Sequence, residues 1–473
     1  MDSTTKKYDW FVGKSGIDRK DYQLYGVKWC VYNETHRDPE MPIRGGLIAD
    51  EMGLGKTIMM IATFIANFVP RTLIVLPNIL LEQWQSEIFR TTGHRAIIYH
   101  GKNKKYISVE KLRASCIVLT TYSTIAVKKT KKTDSDPDAD AASLIHQIDW
   151  DRVVFDEAHH LRNNNSRFNG CKMLRAKIRW VISGTPIQNK RRDFFNLCSA
   201  LNMPATYYSE LDNLPHLLKN FVLKRSKKQV GISLPSLNID SEIVLWKSDN
   251  ERKVASDIHL ALKRASKKLK FFMHARQSCI LPSLLKTNIQ KLIEQNVVSM
   301  SGTDDALCCS SKLDSVIQTI LSRKGNGNGK LVFCHFRGEI DSIVARLKSG
   351  GIDNICTFDG RVSQGERFNR IRSNYEVIVL QIQTGCEGLN LQKNFSEIYF
   401  VSPHWNPAIE DQAVARCHRI GQIKPVNVFR FYMESFDSTI DDTSSSTLLT
   451  LDNYISLVQE DKREISSEIF PSK

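Results

Sequence analysis

The sequence has neither a long apolar run nor cysteine pairs at metal-binding spacing. Its longest largely apolar stretch, Ile58 to Val69, has 12 residues, whereas a helix needs about 20 to span a bilayer. The eleven cysteines include no Cys-x-x-Cys pair, and the first residues lack the charged and then apolar pattern of a secretion signal. These absences predict a soluble, intracellular protein with free thiols and no membrane partner.

Two adjacent pairs of metal-binding residue types do occur, His159-His160 and Cys308-Cys309. Neither has a second ligand pair at zinc spacing, so we interpret them as structural or catalytic residues and expect no zinc. The sequence also has no solenoid-type repeat. A chain of this length is expected to form about two to four domains, because single cores stop growing at about 250 to 300 residues.

The chain is basic, but its charge is unevenly distributed. Lys and Arg number 66 against 51 Asp and Glu, which gives a net charge of +15. Residues 434–473 include nine acidic and three basic residues, so the positive charge is concentrated in the rest of the chain. A basic body favours a polyanionic partner such as nucleic acid, although ATP-using enzymes that bind no nucleic acid can also be basic.

The segment DEMGLGKT is typical of a loop that binds a nucleoside triphosphate. Its glycines let backbone N–H groups surround phosphate oxygens, Lys56 neutralises charge, and the Thr57 hydroxyl can bind Mg²⁺. Asp50 stands where the general pattern has its first glycine, which indicates a subtype of this loop. A glycine-rich turn without a ligand is the weaker alternative, because an apolar helical stretch follows directly. The predicted nucleotide-binding residues of this segment are Asp50, Glu51, Met52, Gly53, Leu54, Gly55, Lys56 and Thr57.

Short β-branched runs alternate with helical patterns in both halves of the chain, which predicts an α/β protein with two parallel sheets. The predicted strands are Leu73 to Leu76, Ile117 to Leu119, Val153 to Phe155 and Val181 to Ile182 in the first half, and Leu331 to Phe333, Val377 to Leu380, Ile398 to Val401 and Val426 to Phe429 in the second. We predict four regions, namely a first lobe at 1–235, a helical region at 236–310, a second lobe at 311–440 and an acidic tail at 441–473.

Three other segments have distinct compositions. Apolar residues recur at helical spacing among lysines from Ile258 to Phe272, which predicts one amphipathic basic helix with a solvated face or, less favoured, a phosphate-contacting face. Lys128 to Ala142 changes from basic to acidic and predicts a flexible surface loop rather than a nuclear import signal. Arg323 to Lys330 is rich in turn residues and predicts a linker into the second sheet.

Two adjacent carboxylates follow the predicted strand Val153 to Phe155, in the segment Asp156, Glu157, Ala158, His159. Ligands of α/β sheets bind at the carboxyl ends of the strands. Asp156 is therefore predicted to bind Mg²⁺, and Glu157 to orient and deprotonate an attacking water. A solvent-exposed acidic turn is the less favoured alternative, because the preceding strand is fully apolar.

Two further segments carry candidate functional residues. Ser183, Gly184 and Thr185 follow the predicted strand Val181 to Ile182 and are candidates for sensing the γ-phosphate, although a simple turn would look similar. Gln412, Arg416 and Arg419 are predicted to share one face of a helix capped by Gly421. Two arginines on one face indicate an anion, and if this anion is the γ-phosphate, they stabilise transition-state charge as the lobes close.

In this order and with these separations, the segments DEMGLGKT, DEAH, SGTPIQN and QAVARCHRIGQ resemble those of the Swi/Snf-type DNA-dependent ATPases of helicase superfamily two. The likeness extends from about Asp21 to about Ser438. It implies two RecA-like lobes, hydrolysis of ATP with Mg²⁺ and an action on double-stranded DNA.

Shorter segments carry the same resemblance. Residues 21–29 resemble the family's glutamine motif, in which Gln23 reads the adenine edge. Leu73 to Trp84 and Thr120 to Tyr122 resemble its first-lobe DNA-tracking motifs. The segments Leu223 to Lys227, Leu234-Pro235 and Arg276 to Cys279 match this family rather than helicases at large.

His404 to Gln412 resembles the branch of the family that contains helicase-like transcription factors and transcription termination ATPases. Members of that branch often carry a RING zinc finger, for which this sequence has no cysteine and histidine array. The minimal length resembles the viral members. Thr384 to Leu391 matches a second-lobe coupling motif, except that Cys386-Glu387 replaces small residues, and the acidic segment Asp437 to Thr447 departs from the family's basic, helical ending.

The combined hypothesis is an ATP-driven translocase that moves along duplex DNA, remodels protein-DNA complexes and activates transcription. Its expected partners are double-stranded DNA and either transcription machinery or chromatin, and its expected location is the nucleus, or the host nucleus if the protein is viral. One alternative is a DNA-bound transcription scaffold that uses ATP only as a switch. Another is an RNA helicase, which the segments around Arg225 and Gln277 make less favoured.

Overall fold

The structure is a computed structural model that describes residues 2–128, 143–265, 268–362, 370, 374–385, 390–436 and 448–470. The chain forms two compact units, Met1–Ser233 with Ile465–Lys473 and Leu234–Glu464, which we call the first and the second lobe. Most of the predicted surface loop, residues 129–142, lies outside the described residues, as do the pair Cys386-Glu387 and the acidic segment 437–447. None of the described helices is both long enough and apolar enough to cross a membrane.

The described part of the first lobe contains one parallel sheet of seven strands in the order β3-β4-β2-β5-β6-β1-β7. The strands are β1 Gly45–Ile48, β2 Thr72–Leu76, β3 Ile97–Ile98, β4 Ile117–Thr121, β5 Asp149–Phe155, β6 Arg175–Ile182 and β7 Val222–Leu223. The four strands predicted for this half are confirmed. The other three are short, and β1 is the segment that leads into the phosphate loop.

Helices cover both faces of this sheet. They are α1 Ser3–Ser15, α2 Asp21–Thr35, α3 Lys56–Ala66, α4 Leu81–Thr92, α5 Val109–Arg113, α6 Tyr122–Ile125, α7 Ser166–Met173, α8 Arg191–Ala200, α9 Ala205–Tyr208 and α10 Leu214–Phe221. Successive side chains of a strand point to opposite faces, so Leu73 and Val75 of β2 pack in one core cluster and Ile74 and Leu76 in the other. Both faces are apolar because a parallel sheet is buried on both sides.

The second lobe contains, within its described residues, a parallel sheet of six strands in the order β10-β11-β9-β12-β13-β8. These strands are β8 Leu237–Val244, β9 Gly329–Cys334, β10 Ile355–Phe358, β11 Val377–Gln381, β12 Phe395–Phe400 and β13 Val426–Met433. All four predicted strands are present. The predicted class, α/β with two parallel sheets in tandem, is therefore confirmed. The turn-rich linker lies between a helix that ends at Ser322 and strand β9, but the last two of its predicted residues, Gly329 and Lys330, belong to that strand.

The helices of the second lobe are α11 Asp249–Arg264, α12 Lys268–Ile280, α13 Ile289–Glu294, α14 Thr303–Cys308, α15 Ser311–Ser322, α16 Arg337–Ser349, α17 Ile382–Gly385, α18 Pro407–Val414 and α19 Leu451–Ile469, whose last residues belong to the first lobe. The prediction of one helix from Ile258 to Phe272 was wrong. Helix α11 ends at Arg264, and the next residue, Ala265, has an extended backbone at φ −72° and ψ 138°. Ending there lets Ile258 of α11 and Ala275 of α12 pack in the same apolar cluster.

We predict that Glu339 makes the stability of the second lobe depend on pH. Its buried carboxylate accepts hydrogen bonds from the backbone N–H groups of His335 and Phe336 at 2.8 and 3.0 Å. Burial nevertheless raises the pKa of Glu339 to about 7. Because the folded state holds this proton more tightly than the unfolded state, Glu339 should lower the free energy of unfolding as pH rises from about 4.5 to 7, by roughly 2 to 3 kcal/mol.

Urea unfolding at pH 5 and at pH 7.5 measures this effect in wild type and in Glu339→Gln. The variant should lose less stability than wild type between the two pH values. Glu294→Gln, at an exposed position of α13, serves as the matched control and should behave as wild type does. An identical loss of stability in wild type and Glu339→Gln would contradict the prediction.

Candidate nucleotide-binding site

The predicted site residues of the first lobe follow three neighbouring strands of its sheet. The phosphate loop follows β1, Asp156 follows β5, and Ser183 follows β6, and these strands are adjacent in the order β5-β6-β1. Since the strands are parallel, all three segments lie at the same edge of the sheet. This is the edge at which α/β proteins bind their ligands.

The phosphate loop has the backbone conformation that its glycines allow. Gly53 and Gly55 have φ values of +93° and +79°, in the left-handed region that favours glycine. A Cβ atom on Gly55 would lie 2.4 Å from the Gln23 side-chain nitrogen, so the loop also needs glycine here for space. Helix α3 begins immediately afterwards at Lys56. Its first N–H groups and the positive end of its dipole favour an anion at this place.

Lys56 and Gln23 both contact the backbone of the loop. The Lys56 ammonium donates to the carbonyl oxygens of Asp50 and Glu51 at 2.7 and 3.3 Å. The Gln23 amide, on helix α2, donates to the Leu54 carbonyl at 3.1 Å. Helix α2, which resembles the adenine-reading motif, is thus joined directly to the loop.

The side chain of Asp50 contacts a cation rather than the interior of the loop. Asp50 is 1 % exposed, and the Arg225 guanidinium donates to both of its carboxylate oxygens, at 3.1 and 2.5 Å. Arg225 also donates to the Tyr22 carbonyl. Asp50, which replaces the first glycine of the general pattern, therefore links the loop through an ion pair to the segment around Arg225. The sequence pattern marked that segment as characteristic but gave no sign of this partner.

The neighbouring acid makes a similar but more exposed contact. The Lys227 ammonium lies 2.8 Å from a carboxylate oxygen of Glu51, whose side chain is 43 % exposed. The Lys227 backbone N–H donates to the other oxygen at 2.7 Å. The two acids at the start of the loop thus pair with the two cations of the segment 225–227.

The two predicted catalytic carboxylates lie at the end of β5. Burial, together with the neighbouring charge of Glu157, raises the pKa of Asp156 to about 6, while the Lys56 ammonium acts in the opposite direction. Glu157 has a φ of +48°, which is rare for a residue other than glycine and typical of functional sites. A carboxylate oxygen of Glu157 lies 3.3 Å from the Nδ1 atom of His159.

The segment after β6 lies against the phosphate loop. A Cβ atom on Gly184 would lie 2.8 Å from the Met52 side chain and 3.4 Å from the Lys56 ammonium nitrogen. Ser183 is buried, and its hydroxyl accepts a hydrogen bond from the Thr185 backbone N–H at 3.3 Å. The fold thus places Gly184 beside two loop residues, of which the Met52 side chain would have to move for a larger residue.

In the second lobe, the prediction of one helix face for Gln412, Arg416 and Arg419 was wrong. Helix α18 ends at Val414, so only Gln412 is helical, and it is buried. Turns follow, in which Cys417 is fully buried and packs in an apolar core cluster of the second lobe. Arg419 donates to the Asn390 side chain, and burial together with the charge of Arg416 lowers the pKa of Arg419. The predicted cap at Gly421 was wrong too, because the residue that caps the end of this helix is Ala415, although Gly421 does have a left-handed backbone with a φ of +92°.

Two aromatic residues from the predicted DNA-tracking segments are buried. Trp84 and Tyr122 are 1 % and 3 % exposed, so their side chains do not form a DNA-contacting surface. The Trp84 indole N–H donates to a carboxylate oxygen of Asp156 at 2.7 Å, and the Tyr122 hydroxyl donates to the Asp156 carbonyl at 2.7 Å. No periodic pattern in the sequence predicted either contact.

These features fit ATP with a divalent cation. The glycine loop offers N–H groups and a lysine to phosphates, and a buried carboxylate with a raised pKa is stabilised in its charged form by a cation. A phosphate loop, a strand-end pair of carboxylates and tandem parallel sheets together define a helicase-like ATPase.

Comparison with protein families identifies the particular family. Residues 22–284 match the SNF2-related domain, and residues 311–421 match the helicase conserved C-terminal domain. The first match alone covers more than half of the chain. The chain belongs to the SNF2-related family, and the enzyme is an SNF2-type ATPase, as its sequence motifs indicated.

Two relatives and one solved structure illustrate this membership. The chain is 29 % identical to chromodomain-helicase-DNA-binding protein 8 of Danio rerio over 97 % of its own length, but it spans only 20 % of that relative. It is 27 % identical to the probable global transactivator of Orgyia pseudotsugata multicapsid polyhedrosis virus, over 88 % of this chain and 87 % of the viral one. The Hef helicase domain of Pyrococcus furiosus matches with a TM-score of 0.54 at 15 % identity, over 88 % of this chain and 95 % of that one, which shows the shared fold.

Proposed function

We propose that this chain is an ATP-driven translocase on double-stranded DNA that remodels protein-DNA complexes and acts in transcriptional activation. The observation that carries the proposal is the meeting of the phosphate loop and the two strand-end carboxylates, where the Lys56 ammonium lowers the pKa of Asp156 against the effect of burial. The printed names of two relatives, a DNA-binding helicase protein and a viral transactivator, support the DNA and transcription parts.

The first lobe would hold the triphosphate through its loop. Backbone N–H groups around Gly53 and Gly55, and those at the start of α3, are donors for phosphate oxygens. The Lys56 ammonium would neutralise the β- and γ-phosphates. Gln23 would contribute to adenine recognition, because its helix is tied to the loop through Leu54.

Mg²⁺ would be held by the Thr57 hydroxyl and the Asp156 carboxylate, and when bound it neutralises charge on the phosphates. Glu157 would orient the attacking water and accept its proton. Ser183, Gly184 and Thr185 would sense whether the loop holds a γ-phosphate, because Gly184 lies beside Met52 and Lys56. The roles of Gln412, Arg416 and Arg419 in coupling and in stabilising charge stay predictions.

Binding of DNA would rest on charge more than on base recognition. The chain carries a net charge of +15, and phosphate contacts supply affinity that is largely independent of sequence. Such binding weakens steeply with salt, because each phosphate contact releases condensed counterions. Transcription machinery or chromatin would supply the protein partners. We place this activity in the nucleus, or in the host nucleus if the protein is viral.

The measurement that tests the proposal is the ATPase rate of the full chain with and without duplex DNA. Duplex DNA should raise the rate of wild type, and the increase should shrink as salt rises from 50 to 200 mM, over which proteins with several phosphate contacts lose orders of magnitude in affinity. Single-stranded RNA should stimulate less. Displacement of a third DNA strand from a triplex then measures movement along the duplex and should require ATP.

Lys56→Ala is the control that assigns the measured rate to this site, and it should show no stimulation by DNA. Equal wild-type rates with and without DNA would contradict the translocase and favour the scaffold. Stronger stimulation by RNA than by duplex DNA would instead favour the RNA helicase.

A further inference from the structure

Two segments that were expected to track DNA place a buried aromatic side chain next to the catalytic carboxylates. Trp84 belongs to helix α4, which follows β2, and Tyr122 is the first residue of helix α6, which follows β4. Both strands lie on the same side of β5 in the sheet order, and β2 pairs directly with it. The two side chains therefore reach Asp156 from the neighbouring strand ends.

Every polar group of Asp156 has a partner. Its Oδ2 atom accepts from the Trp84 indole N–H at 2.7 Å, and its Oδ1 atom accepts from the Glu157 backbone N–H at 2.9 Å. Its carbonyl oxygen accepts from the Tyr122 hydroxyl at 2.7 Å, and its own N–H donates to the Val75 carbonyl at 2.9 Å. The orientation of this carboxylate is thus defined from both ends of the residue.

We propose that Trp84 and Tyr122 are positioning residues that fix the Asp156 carboxylate for Mg²⁺ binding. This inference rests on the proposed role of Asp156 as a ligand of the cation. An indole N–H is a donor only, so it leaves the second lone pair of Oδ2 available to a cation. Groups that orient a ligand in this way typically change metal affinity by about 10- to 100-fold.

A buried tryptophan with a hydrogen-bond partner is not unusual by itself, because core tryptophans generally find an acceptor. Trp150, which lies on β5 and is 1 % exposed, donates to the Ile145 carbonyl at 3.0 Å. The difference lies in the acceptor. Trp84 uses the carboxylate that the reaction needs, whereas Trp150 uses a backbone group away from it. Trp150 therefore provides a matched control.

The test measures how much Mg²⁺ increases the affinity of the full chain for a fluorescent ATP analogue, relative to the affinity in EDTA. Trp84→Phe keeps an aromatic ring but removes the donor, and Tyr122→Phe removes only the hydroxyl. In both variants the affinity in EDTA should equal that of wild type. The increase due to Mg²⁺ should fall by about 10- to 100-fold in Trp84→Phe and should also fall in Tyr122→Phe. The Mg²⁺ concentration that half-saturates ATP hydrolysis should rise accordingly.

Trp150→Phe separates positioning from stability. It also loses a buried indole hydrogen bond, so its unfolding temperature should fall, but its Mg²⁺-dependent increase should match wild type. If Trp84→Phe and Tyr122→Phe behave like this control, the inference is overturned. Tyr122→Phe alone decides the question if Trp84→Phe does not fold. Asp156→Asn separates a failure of this inference from a failure of the proposed function. An undiminished Mg²⁺ effect in that variant would overturn the proposed role of Asp156 as a ligand of the cation.

Discussion

Glu157→Gln is expected to lower kcat for ATP hydrolysis by about 10²- to 10⁴-fold, the usual contribution of a general base. Gln keeps the size of the side chain but cannot accept a proton from water. The carboxylate stands at the end of β5 on a backbone with a φ of +48°, a conformation that costs energy and directs the side chain. Affinity for ATP should stay close to wild type, because in the proposed function the loop, and not this residue, holds the phosphates.

Single-turnover experiments measure the rate of ATP hydrolysis, and equilibrium binding of an ATP analogue measures the affinity. Glu87→Gln is the matched control, since Glu87 makes a surface ion pair with Arg90 on α4 and lies outside the site. This control should change neither quantity. If Glu157→Gln hydrolyses ATP at the wild-type rate, Glu157 is not the base, and the scaffold that uses ATP only as a switch becomes the better description.

Arg225→Met is expected to lower the free energy of unfolding of the first lobe by about 3 to 5 kcal/mol, as removing one partner of a buried ion pair does. The substitution leaves the carboxylate of Asp50 buried without its cation, since Asp50 is 1 % exposed and Arg225 contacts both of its oxygens. ATP affinity should fall as well, because the pair holds the start of the phosphate loop. Urea unfolding and nucleotide binding are the two measurements.

The neighbouring pair supplies the control for Arg225. Lys227→Met also removes a cation from an acid of the loop, but Glu51 is 43 % exposed, so its ion pair is screened by water. The cost should be about 0 to 1 kcal/mol. Adding Asp50→Asn to Arg225→Met should recover part of the lost stability, because no unpaired charge is then buried. If Arg225→Met and Lys227→Met lower the free energy of unfolding by the same amount, the burial of Asp50 does not determine the contribution of its ion pair.

The strands and the main motifs were readable from the sequence because their signals are local. A short apolar run such as Leu73 to Leu76 is typical of a strand that is buried on both faces of a parallel sheet. This pattern can be recognised without any information from distant residues. The ends of helices were less readable. The apolar spacing from Ile258 to Phe272 continues past Ala265, yet the helix stops there so that two helices can share one core.

The sequence by itself determined the fold class, the phosphate loop and the strand-end carboxylates, since residue type and short spacing are sufficient for each. Only the tertiary structure decided which residues support them. Asp50 pairs with a cation 175 residues away, and Asp156 accepts from an indole 72 residues away. Such partners depend on the order of strands in the sheet, which brings distant segments to one edge. Local patterns cannot encode that order, because it results from the packing of the whole lobe.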